Sequence, residues 1–86
     1  MGRASIDQIG EAVRYHRRRG GLSQRDLADL AGVGKTSVFD IEKGKPTVRL
    51  ATLMSVLNVL NIQIAMESPL MEEFVATLPN KGGIIP

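Results

Sequence analysis

Two short apolar patterns joined by a glycine turn constrain this chain more than any other feature, and they lie within residues 22–44. Ser23 precedes the first pattern and predicts a helix N-cap, because its hydroxyl can accept from the free amides of the first turn. The pattern ends at Ala31 or Gly32, where the chain needs a residue that tolerates positive φ. Gly34 falls at the N-cap of a second helix, which Gly44 ends. The stretch therefore predicts two helices joined by a tight turn.

Two helices joined in this way form a helix-turn-helix, whose second helix is the candidate reader of DNA. An αα-hairpin that merely packs is the alternative, because this geometry also occurs outside DNA-binding proteins. The informative positions are Gln24, Leu27, Ala28, Ala31, Gly32, Val33, Val38, Ile41, Glu42, Gly44 and Lys45, with Ile9, Gly10, Val13 and Arg17 upstream and residues 50–60 downstream. These positions resemble the domains of the phage-repressor class, also called Xre-like regulators. The resemblance implies an all-α fold of four to five helices.

In the resembling domains, an arginine six residues before the Ser or Thr that caps the next helix pairs with the glutamate that closes the third helix. The resemblance therefore implies an ion pair between Arg17 and Glu42. If the pair is buried, removing either partner would leave an unpaired charge at a cost of about 3–5 kcal/mol. We assign the pair a structural role, although the arginine can also present an edge to a phosphate.

Helices are also predicted on both sides of the motif. Ser5 is placed as the N-cap of a first helix that runs to Arg19, and a fourth helix begins at about Arg49. Apolar residues of the fourth helix at core spacing are Leu50, Leu53, Met54, Leu57 and Leu60. Val56 and Val59 fall on a second apolar face, so this helix has more apolar surface than one small core needs.

The composition limits what the chain can bind. An 86-residue domain buries only about 60% of the surface that its unfolded chain exposes, so its stability alone is predicted to be marginal. With no cysteine and a single histidine, neither a disulfide nor a zinc site can compensate, and we predict no metal or cofactor. Oligomerisation is the remaining route. No apolar run approaches the roughly 20 residues of a membrane span, and the first ten residues lack a signal-peptide core, so we expect a cytoplasmic protein.

The net charge of +2 conceals an uneven distribution. Residues 1–49 carry 10 Lys and Arg against 6 Asp and Glu, and residues 50–86 carry 1 against 3. The basic half is therefore the half that contains the helix-turn-helix. This distribution favours a polyanionic partner such as double-stranded DNA, because neutralised phosphates release counterions. A solvated basic face is the alternative.

After the fourth helix the apolar period changes. Over residues 61–67, Ile62, Ile64 and Met66 alternate with other residues, and this alternation predicts a short β-strand. A lone strand cannot satisfy its own backbone groups, and no other segment alternates in the same way. The predicted partner is the same strand of a second copy, paired across a two-fold axis. The predicted dimer interface comprises Val56, Val59, Ile62, Ile64 and Met66.

These elements divide the chain into two parts. We assign residues 1–68 to a DNA-binding and dimerisation domain, in which the all-α fold is followed by the C-terminal β-strand that pairs between protomers. Residues 69–86 form a short amphipathic segment of one or two helical turns and a flexible tail, because glycine and proline are frequent near the end.

An Xre-like domain followed directly by a dimerising strand resembles the HipB-type antitoxins, which partner HipA-type serine/threonine kinases. Residues 44–50, GKPTVRL, also resemble that subgroup. The resemblance implies a homodimeric repressor that binds a palindromic operator, autoregulates its operon and binds a kinase toxin. Neither feature is unique to antitoxins. A stand-alone Xre-like regulator and a protein-interaction module without DNA binding are the alternatives.

Roles in DNA recognition follow from where the side chains project. Lys35, Thr36 and Ser37 begin the second helix of the motif and are predicted to enter the major groove, while Val38 and Ile41 face inward. Lys35 can bond guanine O6 and N7, and Thr36 can offer its hydroxyl or its methyl group to a thymine.

Two further residues of this helix each have more than one predicted role. Phe39 stands where the family commonly has a small or polar residue; it contacts a thymine methyl, stacks on a sugar, or is simply a partly exposed ring. Asp40 would repel phosphates, so we expect it to accept from a cytosine amine or from an internal donor.

The remaining contacts are expected to be with the DNA backbone. Gln24 resembles the glutamine that contacts a phosphate in this family, helped by the dipole of its helix. The residues that flank the recognition helix and are expected to set its register on phosphates are Lys43, Lys45, Thr47 and Arg49. No nucleophile with a base, carboxylate and histidine cluster, or phosphate-binding glycine loop occurs at useful spacing, so we do not expect an enzyme.

Overall fold

The structure is a computed structural model that describes residues 5–79. Within those residues the chain forms five helices: α1 (Ile6–Arg19), α2 (Gln24–Ala31), α3 (Lys35–Glu42), α4 (Leu50–Val59) and α5 (Met71–Ala76). Helices α2 and α3 form the helix-turn-helix, and α1 and α4 pack against it. The expected all-α fold with four to five helices is confirmed.

Local capping explains where the first two helices begin. The Ser5 hydroxyl accepts from the amide of Gln8, whose side chain accepts in return from the Ser5 amide. Ser23 and Asp26 form the same reciprocal pair at the start of α2. Each pair satisfies two amides that the helix leaves without an intrahelical partner. The predicted N-caps of both helices are therefore correct.

Glycines with positive φ end α2 and redirect the chain after α3. Gly32 has φ 69° and Gly44 has φ 75°, a region that costs a glycine little because it has no Cβ. The Val33 amide donates to the Ala28 carbonyl, and the Lys45 amide donates to the Asp40 carbonyl, each at 3.0 Å. These turns determine the angle at which α3 leaves α2 and the direction of the loop before α4.

The hydrophobic core lies where the first four helices meet. Its buried members are Val13, Leu27, Ala28, Val38, Ile41, Val56 and Leu57. Helix α1 crosses α3 at Gly10, where an added Cβ would overlap the carbonyl oxygen of Ile41. This close approach holds the backbone of the recognition helix against α1.

The apolar face of α4 differs from the prediction. Val56 is fully buried in the core of its own protomer, whereas Leu50 is 70% and Met54 47% exposed. Helical spacing did not select the correct stripe, because apolar residues cover most of the circumference of α4 and several stripes satisfy the period. The prediction that Val56 lies in the dimer interface is therefore wrong. Val59 is partly buried and packs on the same core.

The strand predicted over residues 61–67 is not supported. Among residues 5–79 the structure describes no strand, and residues 62–68 have no regular secondary structure. The chain leaves α4 through Asn61 at φ 57°, and the Ile62 amide donates to the Leu57 carbonyl at 2.9 Å. Ile62 therefore belongs to the helix end and packs on the core. A strand needs a second strand for its backbone groups, and no other described segment supplies one.

Helix α5 falls within the segment predicted to be amphipathic and has the expected length of one to two turns. The predicted flexible tail lies mostly outside the described residues. No helix in the described part of the chain is long and apolar enough to cross a membrane.

Candidate nucleic-acid interface

The recognition helix α3 is held from its inner side. Val38 is fully buried and Ile41 is 4% exposed, so the opposite side of the helix is presented to solvent. Lys35 and Thr36 are exposed in its first turn, and Ser37 is half-buried. The structure therefore leaves the two longest polar side chains of this turn free to contact a ligand.

Two side chains on the outer side of α3 contact each other. The Lys43 amino group lies 5.5 Å from the centre of the Phe39 ring, within range of a cation–π interaction. Phe39 is 46% exposed, so it is accessible to a ligand while Lys43 restrains it. The predicted roles did not include this contact, although the spacing of four residues from Phe39 to the C-cap Lys43 could have indicated it.

Asp40 lies next to a cation of the following loop. Its Oδ2 atom is 3.7 Å from the Lys45 Nζ atom, and the Asp40 side chain is 24% exposed. The structure thus gives Asp40 an internal partner, at ion-pair rather than hydrogen-bond distance. The carboxylate also offsets part of the positive charge that Lys45 presents to solvent.

Basic and polar residues continue from α3 into the loop before α4. The exposed members of this stretch are Lys43, Lys45, Thr47 and Arg49. Val48, between the last two, is half-buried and packs on the core. Val48 thus anchors the loop to the core while its basic and polar neighbours remain exposed.

A polar cluster of Arg17, Glu42 and Gln24 lies behind α3 and joins three helices. The Arg17 Nε atom donates to Glu42 Oε2 at 2.6 Å, and its terminal Nη2 atom donates to Oε1 at 3.0 Å. Arg17 Nη1 donates to the Leu22 carbonyl at 2.9 Å. The structure thus brings together the arginine and glutamate that the resemblance implied, in a two-pronged geometry that matches both planar groups.

This ion pair is shielded from water. The Arg17 side chain is 10% exposed and the Glu42 side chain 5%. Burial alone would raise the pKa of Glu42, but hydrogen bonds from Arg17 and Gln24 outweigh it and hold that pKa below its ordinary value. The same hydrogen bond to Glu42 raises the pKa of Arg17, against the opposing effect of burial. Both groups therefore stay charged at neutral pH.

Gln24, the first residue of α2, joins the cluster through its side chain. Its Nε2 atom donates to Glu42 Oε1 at 3.2 Å. Gln24 was expected only at a phosphate, and this hydrogen bond was not predicted. The two residues are 18 positions apart on different helices, so no local pattern could have indicated it.

Comparison with known proteins gives three relevant similarities. Residues 13–66 match the family described as Helix-turn-helix. An uncharacterized HTH-type transcriptional regulator, y4mF from Sinorhizobium fredii (strain NBRC 101917 / NGR234), is 39% identical over 61 residues, which are 71% of this chain and 80% of that protein. The restriction-modification controller protein C.AhdI from Aeromonas hydrophila is 31% identical with a TM-score of 0.60, over 67% of this chain and 88% of that one.

A chain of the HipA-HipB-O2-O3 complex is similar to a larger part of the structure. It has a TM-score of 0.71 and covers 80% of this chain and 97% of that one, at 20% sequence identity. At this identity the similarity shows a shared fold.

Proposed function

Because this chain belongs to the Helix-turn-helix family of Xre-like transcriptional regulators, we propose that it is a sequence-specific DNA-binding repressor. The observation that carries the proposal is the outward side of α3, where Lys35 and Thr36 are exposed while Val38 is buried beneath them. A helix held in this way can enter a major groove as a rigid body.

Within this proposal, base reading and backbone binding belong to different residues. Lys35, Thr36 and Ser37 face the bases from the first turn of α3, and Phe39 contacts a thymine methyl or a sugar. Asp40 keeps its internal partner Lys45 in the free protein and can accept from a cytosine amine when bound. The phosphate contacts come from Gln24, Lys43, Lys45, Thr47 and Arg49, which determine register and carry no sequence information.

We further propose that the protein is a homodimer on a palindromic operator, because two copies related by a two-fold axis read two equivalent half-sites. Ile64 is 43% and Met66 46% exposed on the segment after α4. Pairing of this segment with the same segment of a second copy would cover both side chains. It would also give the backbone amides and carbonyls of the segment hydrogen-bond partners. Val59 and Ile62 are partly buried against the core. Their exposed parts would border the proposed interface.

A salt titration tests the proposed DNA binding. An operator is first selected from random duplexes, and affinity is then measured against salt for the unmodified protein and two variants. Lys35→Ala is expected to relax base preference by about 1–3 kcal/mol at one position per half-site. Lys45→Ala is expected to weaken all sequences alike and to lower the slope of log K against log salt by about one per half-site.

Each alternative to this proposal has a distinct outcome in the same titration. A protein-interaction module would bind no duplex even at low salt. If both lysine variants change affinity equally across operator variants, the division between base and backbone contacts is wrong.

The proposed dimer is tested by Ile64→Pro. Proline removes a backbone donor from the pairing segment and restricts its geometry, so we expect the variant to sediment as a monomer. Ile64→Val keeps the donor and most of the apolar surface, and it should remain dimeric. A dimer that survives the proline substitution would place the interface elsewhere.

We propose a HipA-type serine/threonine kinase toxin as a second partner, which would make this repressor an antitoxin. The support is the shared fold with a chain of the HipA-HipB-O2-O3 complex. A stand-alone regulator is the competing function, supported by the likeness to the controller protein C.AhdI. Co-purification with the product of a neighbouring kinase-like gene would distinguish the two, because a stand-alone regulator would purify without it.

A further inference from the structure

We propose that Glu42 is a positioning residue for DNA binding: it orients the side-chain amide of Gln24 so that the second N–H of this amide meets a phosphate. The inference rests on the proposed DNA-binding function. It gives the buried ion pair a role beyond holding helices together, because Arg17 in turn determines where the Glu42 carboxylate lies.

The chemistry of the two groups allows one orientation of the amide. An ionised carboxylate only accepts hydrogen bonds, so Gln24 must present its NH2 group and not its carbonyl to Glu42 Oε1. An amide nitrogen has two hydrogens. One is used by Glu42, and the other is the only side-chain donor that remains for a phosphate oxygen, which also only accepts.

The burial of Glu42 makes this orientation persistent. Its side chain is 5% exposed, and Arg17 donates to both of its oxygens. Water therefore competes little for the Oε1 atom, and rotation of the carboxylate would break two short hydrogen bonds to Arg17. A partly buried glutamine held by such a fixed acceptor loses less rotamer freedom on binding than a free one.

The position of Gln24 brings this oriented donor to the end of α2. Gln24 directly follows the N-cap Ser23, and the first amides of a helix have no intrahelical acceptor. The Asp26 amide is already bonded to the Ser23 hydroxyl at 3.0 Å. The oriented side-chain N–H therefore adds a donor to the amides of Gln24 and Arg25, which begin the same helix.

The test uses a 20-base-pair duplex of arbitrary sequence at low salt, because phosphate contacts do not depend on sequence. Affinity is measured against salt for the full chain and for Gln24→Ala, Glu42→Gln and the double variant. Gln24→Ala is expected to weaken binding roughly tenfold, because it removes a hydrogen bond to a charged phosphate, and to leave the slope of log K against log salt unchanged, because a neutral amide releases no counterion. Glu42→Gln is expected to weaken binding by a similar factor, and the double variant by no more than either.

Glu42→Gln distinguishes positioning from charge. Its amide would keep an acceptor for Arg17 and turn an NH2 group toward Gln24, which must then rotate to offer its carbonyl. The N–H would no longer meet the phosphate, and affinity at low salt should fall roughly tenfold. The loss of a negative charge alone would instead strengthen binding to DNA.

Asp29→Asn is the matched control. Asp29 is an exposed carboxylate of α2, and the substitution changes the charge by the same amount. It should leave the salt slope unchanged and the affinity equal or slightly higher. A Glu42→Gln variant that behaves like Asp29→Asn would overturn the proposal, as would additive losses in the double variant.

A second measurement keeps the proposal testable if Glu42→Gln does not fold. In the 15N-labelled unmodified protein, addition of the duplex should shift one of the two Gln24 side-chain hydrogens strongly and the other weakly. Equal shifts, or none, would overturn the inference. If the unmodified protein bound no duplex at low salt, the proposed DNA-binding function itself would fail, and that outcome is distinct from every one above.

Discussion

Replacing Arg17 by methionine is expected to lower the free energy of unfolding by about 3–5 kcal/mol, because the Glu42 carboxylate would remain buried without its partner. The Glu42 side chain is 5% exposed, and Gln24 alone would remain to donate to it. Small domains of this size have limited stability to lose. Urea denaturation followed by circular dichroism measures the change.

A double variant distinguishes the net contribution of the ion pair to stability from the cost of removing one partner. Arg17→Met combined with Glu42→Leu removes both charges, so most of the lost stability should return. Asp40→Asn provides the contrast, since it breaks the more exposed pair with Lys45 at 3.7 Å. That pair is expected to contribute at most about 1 kcal/mol. A loss below 1 kcal/mol for Arg17→Met would show that water reaches Glu42 after the substitution.

Gly10→Ala is expected to lower the free energy of unfolding, because α1 and α3 would have to separate. The expected loss lies toward the upper end of the range of about 1–3 kcal/mol that overpacking costs. An added Cβ would overlap the Ile41 carbonyl oxygen and lie 3.1 Å from that of Glu42. Neither atom belongs to a flexible side chain that can turn away. The same denaturation experiment measures the effect, and DNA affinity should fall with it because α3 moves.

The sign of the change in the free energy of unfolding on Gly10→Ala distinguishes a steric effect from helix propensity. Helix propensity alone would make alanine stabilising by about 1 kcal/mol inside α1. Gly20→Ala is the matched control, since Gly20 ends α1 at φ −82° and an added Cβ would lie 3.4 Å from the nearest carbonyl oxygen. We expect that control to be neutral or stabilising by about 0.4–1 kcal/mol. Similar effects at both positions would mean that the helix crossing tolerates a methyl group.

Much of the fold was predictable because its signals are local. A cap such as Ser5 or Ser23 acts on amides within three residues, and a glycine such as Gly32 sets the backbone where it stands. The starts of α1 and α2 and the end of α2 follow from such short-range chemistry. The exposure of Lys35 and Thr36 follows too, because Val38 and Ile41 share one buried stripe of α3 and the opposite side faces solvent.

The candidate site was predictable only in part. Arg17 and Glu42 were paired through resemblance to a family, and the structure brings them together at 2.6 Å. The hydrogen bond from Gln24 to Glu42 had no counterpart in the predicted roles, and an internal partner of Asp40 was predicted without its identity, Lys45. Each depends on the distance between side chains on different elements, which periodicity does not encode.

Helix α4 and the segment after it show the same limit in the fold. A helix that is apolar around most of its circumference fits several orientations, so packing of α2 and α3 against it selected Val56 for the core and left Leu50 exposed. Alternation over residues 61–67 indicated a strand, yet strand formation depends on a partner for the backbone, and none lies within residues 5–79. Helix ends and caps are thus encoded by neighbours in the chain, whereas burial, side-chain networks and strand pairing depend on which segments meet in space.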